Sequence, residues 1–215
     1  MTPLFQRTAQ DKQNTKRKSL AQSVPRHSSG WVKILSRLKE GPGLRVLDIG
    51  PTSPNNINFL TSLGHSVYMA DLVEEAIKPE WVIPAKDDEP LRYNTEGFLA
   101  RHMDFGDRKF DIVLLWDTLD YIPAPVADAV LRRLTEVLSA QGQTLAFFHS
   151  KSSGPETIFC RYHISDGDTL QTQEATNHPV LRTYQNRQIE TLLQDLGASR
   201  FYLAKDNTRE VIVTR

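Results

Sequence analysis

Two carboxylates and one glycine carry the most readable chemistry in this chain. Asp48 closes an apolar run through Val46 and Leu47, and Gly50 stands at the turn that follows. Asp71 closes a second apolar run, Val67, Tyr68, Met69 and Ala70. A strand, a glycine-bearing turn, a helix and a second strand ending in an acid, spaced by about twenty residues, suit a nucleoside ligand held without phosphates. The turn lets backbone approach the ligand, and the second carboxylate accepts hydrogen bonds from both ribose hydroxyls. Asp71 also reads as a helix cap, and Asp48 as a strand-end carboxylate that organises the loop. Gly50 serves either reading, since both need a tight turn.

Further candidates lie beyond the next long apolar run, where a doubly wound sheet opens its ligand crevice. Asp117 is read as facing that crevice and Asp120 as structural. Tyr121 either joins the crevice or packs on a short helix. His149 ends a later strand and is either a general base near an acceptor or a structural residue. His163 and His178 fall in an inserted segment placed to lid the crevice. No spacing among histidines, Cys160 and acids resembles a metal site. Neither a Gly-x-Ser-x-Gly elbow nor a Walker-type Gly-Lys-Thr is present.

The elements that must position these residues follow from periodicity. Ser28 or Ser29 caps a helix whose apolar stripe is Trp31, Ile34, Leu35 and Leu38, and Gly41-Pro42-Gly43 stops it. A strand over 44–49 leads to a helix over 55–63, expected to bury Ile57, Leu60 and Leu63, with Gly64 at its end. Residues 73–95 hold three prolines and read as irregular. Residues 98–103 read as a short third strand. Residues 110–116 are apolar on both faces, as a central parallel strand should be. An amphipathic helix over 125–138 precedes a fifth strand, 144–149. Residues 158–164 and 170–173 read as a hairpin joined through Ser165, Asp166, Gly167 and Asp168. A helix over 186–196 and two strands around the Lys205-Asp206-Asn207 turn close the chain. Alternating strands and helices demand a parallel sheet covered on both faces, and the last tight turn adds an antiparallel strand.

Bulk properties bound the function classes. Over 215 residues, Lys plus Arg (26) balance Asp plus Glu (26), which gives no overall pull toward nucleic acid. The basic residues crowd the start: Arg7, Lys12, Lys16, Arg17, Lys18 and Arg26 face only Asp11. Residues 1–27 therefore read as a disordered basic arm, and 28–215 as one mildly acidic folded body with a hairpin insertion at about 156–180. That charge balance argues against a nucleic-acid-binding face on the folded body. The lone Cys160 excludes an internal disulfide and fits a reducing compartment. No apolar run of about eighteen residues or signal-type stretch appears, so the expected location is cytoplasmic, away from membranes.

The order of elements and the residues at strand ends resemble the class I S-adenosylmethionine-dependent methyltransferases, over residues 28–215. The resemblance implies a Rossmann-like three-layer sandwich with a seven-stranded, mostly parallel sheet and an antiparallel C-terminal strand. It places Asp48 and Gly50 at the family's first motif, Asp71 at the ribose hydroxyls, and Asp104 with Phe105 at the adenine. Residues 110–117, ending at Asp117, resemble the fourth-strand motif, and 184–215 the closing helix and strand pair. The later two glycines of the first motif are Thr52 and Pro54 here. Thr52 adds a Cβ and a hydroxyl, and Pro54 suits the first turn of a helix, where Asn55 and Asn56 can offer amides to a ligand.

The leading expectation is therefore a methyltransferase that uses S-adenosylmethionine and passes its methyl group to a small molecule. The cofactor-binding set is Asp48, Gly50, Thr52, Asn55, Asp71, Asp104 and Asp117, with His149 and Tyr121 as candidate catalytic residues. The signature for methylating a base amine is absent. A catalytically inactive binding or assembly module on the same fold is the alternative, motivated by Thr52 and Pro54. A nicotinamide enzyme of related fold is disfavoured by the glycine spacing.

Overall fold

A computed structural model describes residues 23–84 and 90–215. Its centre is a six-stranded sheet in the order β3-β2-β6-β7-β11-β10. These strands are β2 (Arg45–Asp48), β3 (Ser66–Met69), β6 (Phe110–Trp116), β7 (Leu138–Phe148), β10 (Ala198–Leu203) and β11 (Arg209–Thr214). The first four run parallel, while β11 is antiparallel to both its neighbours. The register sets Asp48 beside Met69 on one side and Leu114 on the other.

Two apolar layers sandwich the sheet. One side is covered by α1 (Ser29–Leu38) and α2 (Pro54–Ser62). Helix α1 begins where Ser28 Oγ accepts from Trp31 N at 3.0 Å. Its stripe of Trp31, Ile34, Leu35 and Leu38 is buried against Ile112, Leu114 and Leu145. Each such side chain contributes about 2 kcal/mol by leaving water. The other side packs Phe98, Val126, Val130, Leu134, Ile189 and Leu193 against Val113 and Leu115. Those residues come from α4 (Thr95–His102), α6 (Ala124–Val137) and α7 (Asn186–Leu193). Alternation along β6 thus feeds both layers.

The stretch between β3 and α4 holds α3 (Val73–Ala76) and a two-stranded ribbon, β4 (Val82–Ile83) with β5 (Arg92–Tyr93). Short α5 (Thr118–Tyr121) follows β6. A separate three-stranded sheet, in the order β1-β9-β8, comprises β1 (Val24–His27), β8 (Cys160–His163) and β9 (Thr169–Glu174), all antiparallel.

The expected hairpin at 158–173 is present as β8 and β9, and the closing strand pair as β10 and β11. Two expectations are corrected. The third strand at 98–103 is helix α4, so the main sheet has six strands rather than seven. Asn94 Oδ1 caps its first turn by accepting from Gly97 N at 3.0 Å, and Phe98 and His102 share one face under Trp81. The second correction concerns the basic arm, assigned to residues 1–27. Residues 1–22 lie outside the described residues, but residues 24–27 are a strand paired to β9. Arg26 is ordered by Asp206 and Glu210, 2.8 Å from each. Its guanidinium also stacks over the Phe147 ring at 4.6 Å.

Candidate functional site

Strands β2, β3, β6 and β7 end on the same edge of the sheet, and Asp48, Asp71 and Asp117 follow those ends. Asp48 is buried and both its oxygens are taken. Trp116 Nε1 donates to Oδ1 at 2.6 Å and Asn56 Nδ2 to Oδ2 at 2.9 Å. Burial pushes its carboxyl up to about 6, against the pull of those two donors. Gly50 lies directly beneath the Trp116 ring: a Cβ added there would stand 2.9 Å from Trp116 Cδ1. Trp116 itself has φ of 49°, a left-handed conformation that aromatic residues rarely adopt.

The three-stranded sheet closes over this edge. Tyr162 of β8 stacks on Trp116, with centroids 4.9 Å apart and planes 10° from parallel. The Tyr162 hydroxyl donates to Asp117 Oδ2 at 2.8 Å. Asn56 stitches the strand down, donating to Tyr162 O at 3.0 Å and accepting from Ile164 N at 2.9 Å. Ser53 Oγ, which caps α2, lies 2.8 Å from His163 Nδ1. Pro54 occupies the first turn of α2 as expected. Thr52 and Asn55 are exposed.

Behind Asp117 sits a second polar cluster. Asp120 is buried, and its Oδ2 accepts from His149 N at 2.7 Å and pairs with His149 Nδ1 at 2.8 Å. Burial pushes Asp120 up to about 6, while the bonds to His149 oppose it. Asp117 is also raised by burial, and its Oδ2 lies 3.9 Å from His149 Nε2. Tyr121 packs its ring edge-on to His149 at 5.7 Å and donates its hydroxyl to Thr157 O at 3.0 Å.

Asp71 differs from Asp48. It is partly buried, and its Oδ1 has no hydrogen-bond partner among the described residues. Burial and the neighbouring Glu74 raise its carboxyl, while Val73 N, Arg161 and His178 pull it back. The expected group thus splits. Asp48, Gly50 and Asp117 meet under Trp116 and Tyr162, and Asp71 lies close enough to Asp48 to raise it. Asp104 is exposed and accepts from Gly106 N at 3.1 Å within its own turn. Asn56, Trp116, Tyr162 and Arg161 were not singled out for these roles from sequence. Asn56 was read as offering its amide to a ligand, and the structure instead spends that amide on Asp48, Tyr162 O and Ile164 N.

A family model described as a methyltransferase domain matches residues 17–199, most of the chain. The chain belongs to that methyltransferase-domain family. No curated protein matches it. Among solved structures, one similar protein is the 1,6-didemethyltoxoflavin-N1-methyltransferase of Burkholderia thailandensis, at 16% identity. That match covers 96% of this chain and 83% of the other, with TM-score 0.45. The magnesium protoporphyrin IX methyltransferase of Synechocystis is 17% identical over 95% and 79%, with TM-score 0.45. A methyltransferase of Methanosarcina mazei is 13% identical over 84% and 96%, with TM-score 0.48.

The residues of this methyltransferase domain suit a methyl-donor nucleoside unequally. At Asp71 they fit, because a buried carboxylate oxygen there awaits a donor. At Gly50 the indole of Trp116 stands where a Cβ would project, and the Tyr162 ring stacks on that indole. Among the described residues, no helix is long and apolar enough to cross a membrane, and no cluster of His, Cys, Asp and Glu is arranged to hold a metal.

Proposed function

We propose that this cytoplasmic methyltransferase domain binds S-adenosylmethionine and methylates a small molecule. The observation that carries the reading is the unpartnered Asp71 Oδ1 at the end of β3, beside a sheet edge whose other leading acid, Asp48, is fully bonded. Leaving a carboxylate oxygen buried without a donor is costly, so such groups mark places where a ligand supplies the donor. The cofactor, when bound, supplies a methyl group already activated on a sulfonium. What remains for the protein is to align donor and acceptor and exclude water.

His149 supports that task on the acceptor side. Asp120 grips its Nδ1 and its backbone N–H, which fixes the ring's orientation at the end of β7. A histidine so held can take a proton from an acceptor hydroxyl or amine. Asp71 would accept from ribose hydroxyls, and Gly50 keeps the backbone turn close to the ligand.

Calorimetry of the intact chain with S-adenosylmethionine and S-adenosylhomocysteine tests the reading. Binding is expected, and Asp71→Asn should weaken it about tenfold or more, the scale of one charge-assisted hydrogen bond. No heat at millimolar ligand removes the reading. The second reading, a methyltransferase-like module without activity, draws support from Trp116, whose ring covers Gly50. Binding of S-adenosylhomocysteine by the wild-type chain argues against it.

A further inference from the structure

We propose that a cavity between α1 and the antiparallel half of the main sheet is a second ligand site, shaped for a small phosphate monoester whose organic part donates a hydrogen bond. Binding there is independent of the functional reading above.

Two stripes of side chains build the cavity. Lys33, Ser36, Arg37 and Glu40 recur at helical spacing and wall it along α1 and its end. Gln143 of β7, Ile212 and Thr214 of β11, and Arg200 and Tyr202 of β10 form its floor. The register sets Thr214 beside Gln143 and Ile212 beside Arg200, so these side chains share one face of the sheet. Arg215 N donates to Gly142 O at 3.0 Å and fastens the floor at its outer end. The volume is about 470 Å³, within the range of small-molecule sites. None of the lining residues belongs to the edge that holds Asp48, Asp71 and Asp117.

The charges select one end of the ligand. Arg37 is spent on Glu40, 2.6 Å away. Lys33 and Arg200 pair with no acid among the described residues, so the cavity holds two uncompensated positive charges. A phosphate monoester, close to a dianion at neutral pH, matches them, and arginine suits its oxygens. A carboxylate brings half that charge, and a neutral ligand leaves both cations unused.

Gln143 selects the other end. Its Oε1 is buried and has no hydrogen-bond partner among the described residues. An amide oxygen only accepts, so it asks the ligand for an N–H or O–H. The phosphate dianion has no proton to give, and the donor therefore belongs to the organic part. Tyr202 and Ile212 offer that part an apolar surface. The cavity is also larger than an inorganic phosphate fills.

Calorimetry of the intact chain with uridine 5′-monophosphate, uridine and inorganic phosphate tests the site. Uridine probes lack the adenine of the methyl donor. The variants are Lys33→Ala, Arg200→Ala, Arg200→Lys and Gln143→Leu, with Lys78→Ala as a charge control beyond α3. Thermal melts of each confirm folding. The monophosphate should bind wild type more tightly than either fragment does. Lys33→Ala and Arg200→Ala should each weaken it about tenfold, the scale of one charge-assisted contact, and Arg200→Lys should weaken it less. Gln143→Leu should weaken the monophosphate and leave inorganic phosphate unchanged. No binding of the monophosphate at millimolar concentration overturns the proposal. So does weakening by Lys78→Ala equal to that by Lys33→Ala, or inorganic phosphate binding as tightly as the monoester.

Discussion

Tyr162 lies flat on Trp116, ring centroids 4.9 Å apart, and the Trp116 ring in turn covers Gly50 in the turn after the first strand of the central sheet. The two residues come from different sheets, so their contact couples the three-stranded sheet to the edge where Asp48 and Asp117 lie. The Tyr162 hydroxyl extends the coupling to Asp117, which is fully buried.

Tyr162→Phe keeps the stack and removes only the donor to Asp117. The buried carboxylate then loses its hydroxyl partner, for an expected loss of about 1–3 kcal/mol in urea unfolding at unchanged slope. Tyr162→Ala also opens a cavity and should cost about 3–5 kcal/mol. Equal midpoints for Tyr162→Phe and wild type would show that Asp117 does not depend on this hydroxyl.

Gly50→Ala places a methyl group 2.9 Å from Trp116 Cδ1. Overpacking of this kind costs about 1–3 kcal/mol. The smaller ring of Trp116→Phe should relieve most of that cost in the double variant. A thermal-melt cycle reads the coupling, and strict additivity of the two changes would sink the contact as its cause.

Asp48 and Asp120 give the fold a pH signature. Both carboxyls are pushed up to about 6, chiefly by burial. A folded value above the ordinary one means that each contributes stability fully below about pH 4, and loses it as pH rises through 6. Each contribution is on the order of 3 kcal/mol by that shift. Stability of Asp48→Asn should therefore fall less steeply than wild type between pH 4 and 6.5, by equilibrium urea titration at each pH. Parallel curves would refute the assignment.

Arg26 and Glu210 tie the first strand to the last. Glu210 is fully buried and accepts from Arg26 Nη1, Ser28 Oγ and Gly30 N, at 2.8, 3.0 and 2.7 Å. Arg26→Ala removes the cation paired with that carboxylate and should cost about 3–5 kcal/mol. Glu210→Gln in the same background should restore part of the loss. Hydrogen exchange is expected to quicken first in β1 and β9, and uniform exchange across the whole fold would contradict a local latch.

Much of the architecture was legible because its causes are local. Periodic apolar residues and the Ser28 cap declare α1, and the unbroken apolar run of β6 declares a central strand. Gly197 and the turn before Thr208 mark the closing elements. Helix α4 was missed because Phe98, Leu99 and Met103 in so short a window suit either period, and its cap, Asn94, lies just upstream. Strand β1 was missed because Val24-Pro25-Arg26-His27 has no alternation of its own. Its partner, β9, lies far along the chain.

The sequence by itself determined which acids stand at the ends of which strands, since strand, turn and helix are set by neighbours within a few residues. Only the tertiary structure decided what those acids do. Asn56 bonds to Tyr162 across 106 positions, and Trp116 reaches Asp48 across 68. Those long-range partners saturate Asp48, while Asp71 Oδ1 has none among the described residues, a distinction that periodicity cannot carry because hydrogen-bond satisfaction depends on which distant segments fold back over the edge.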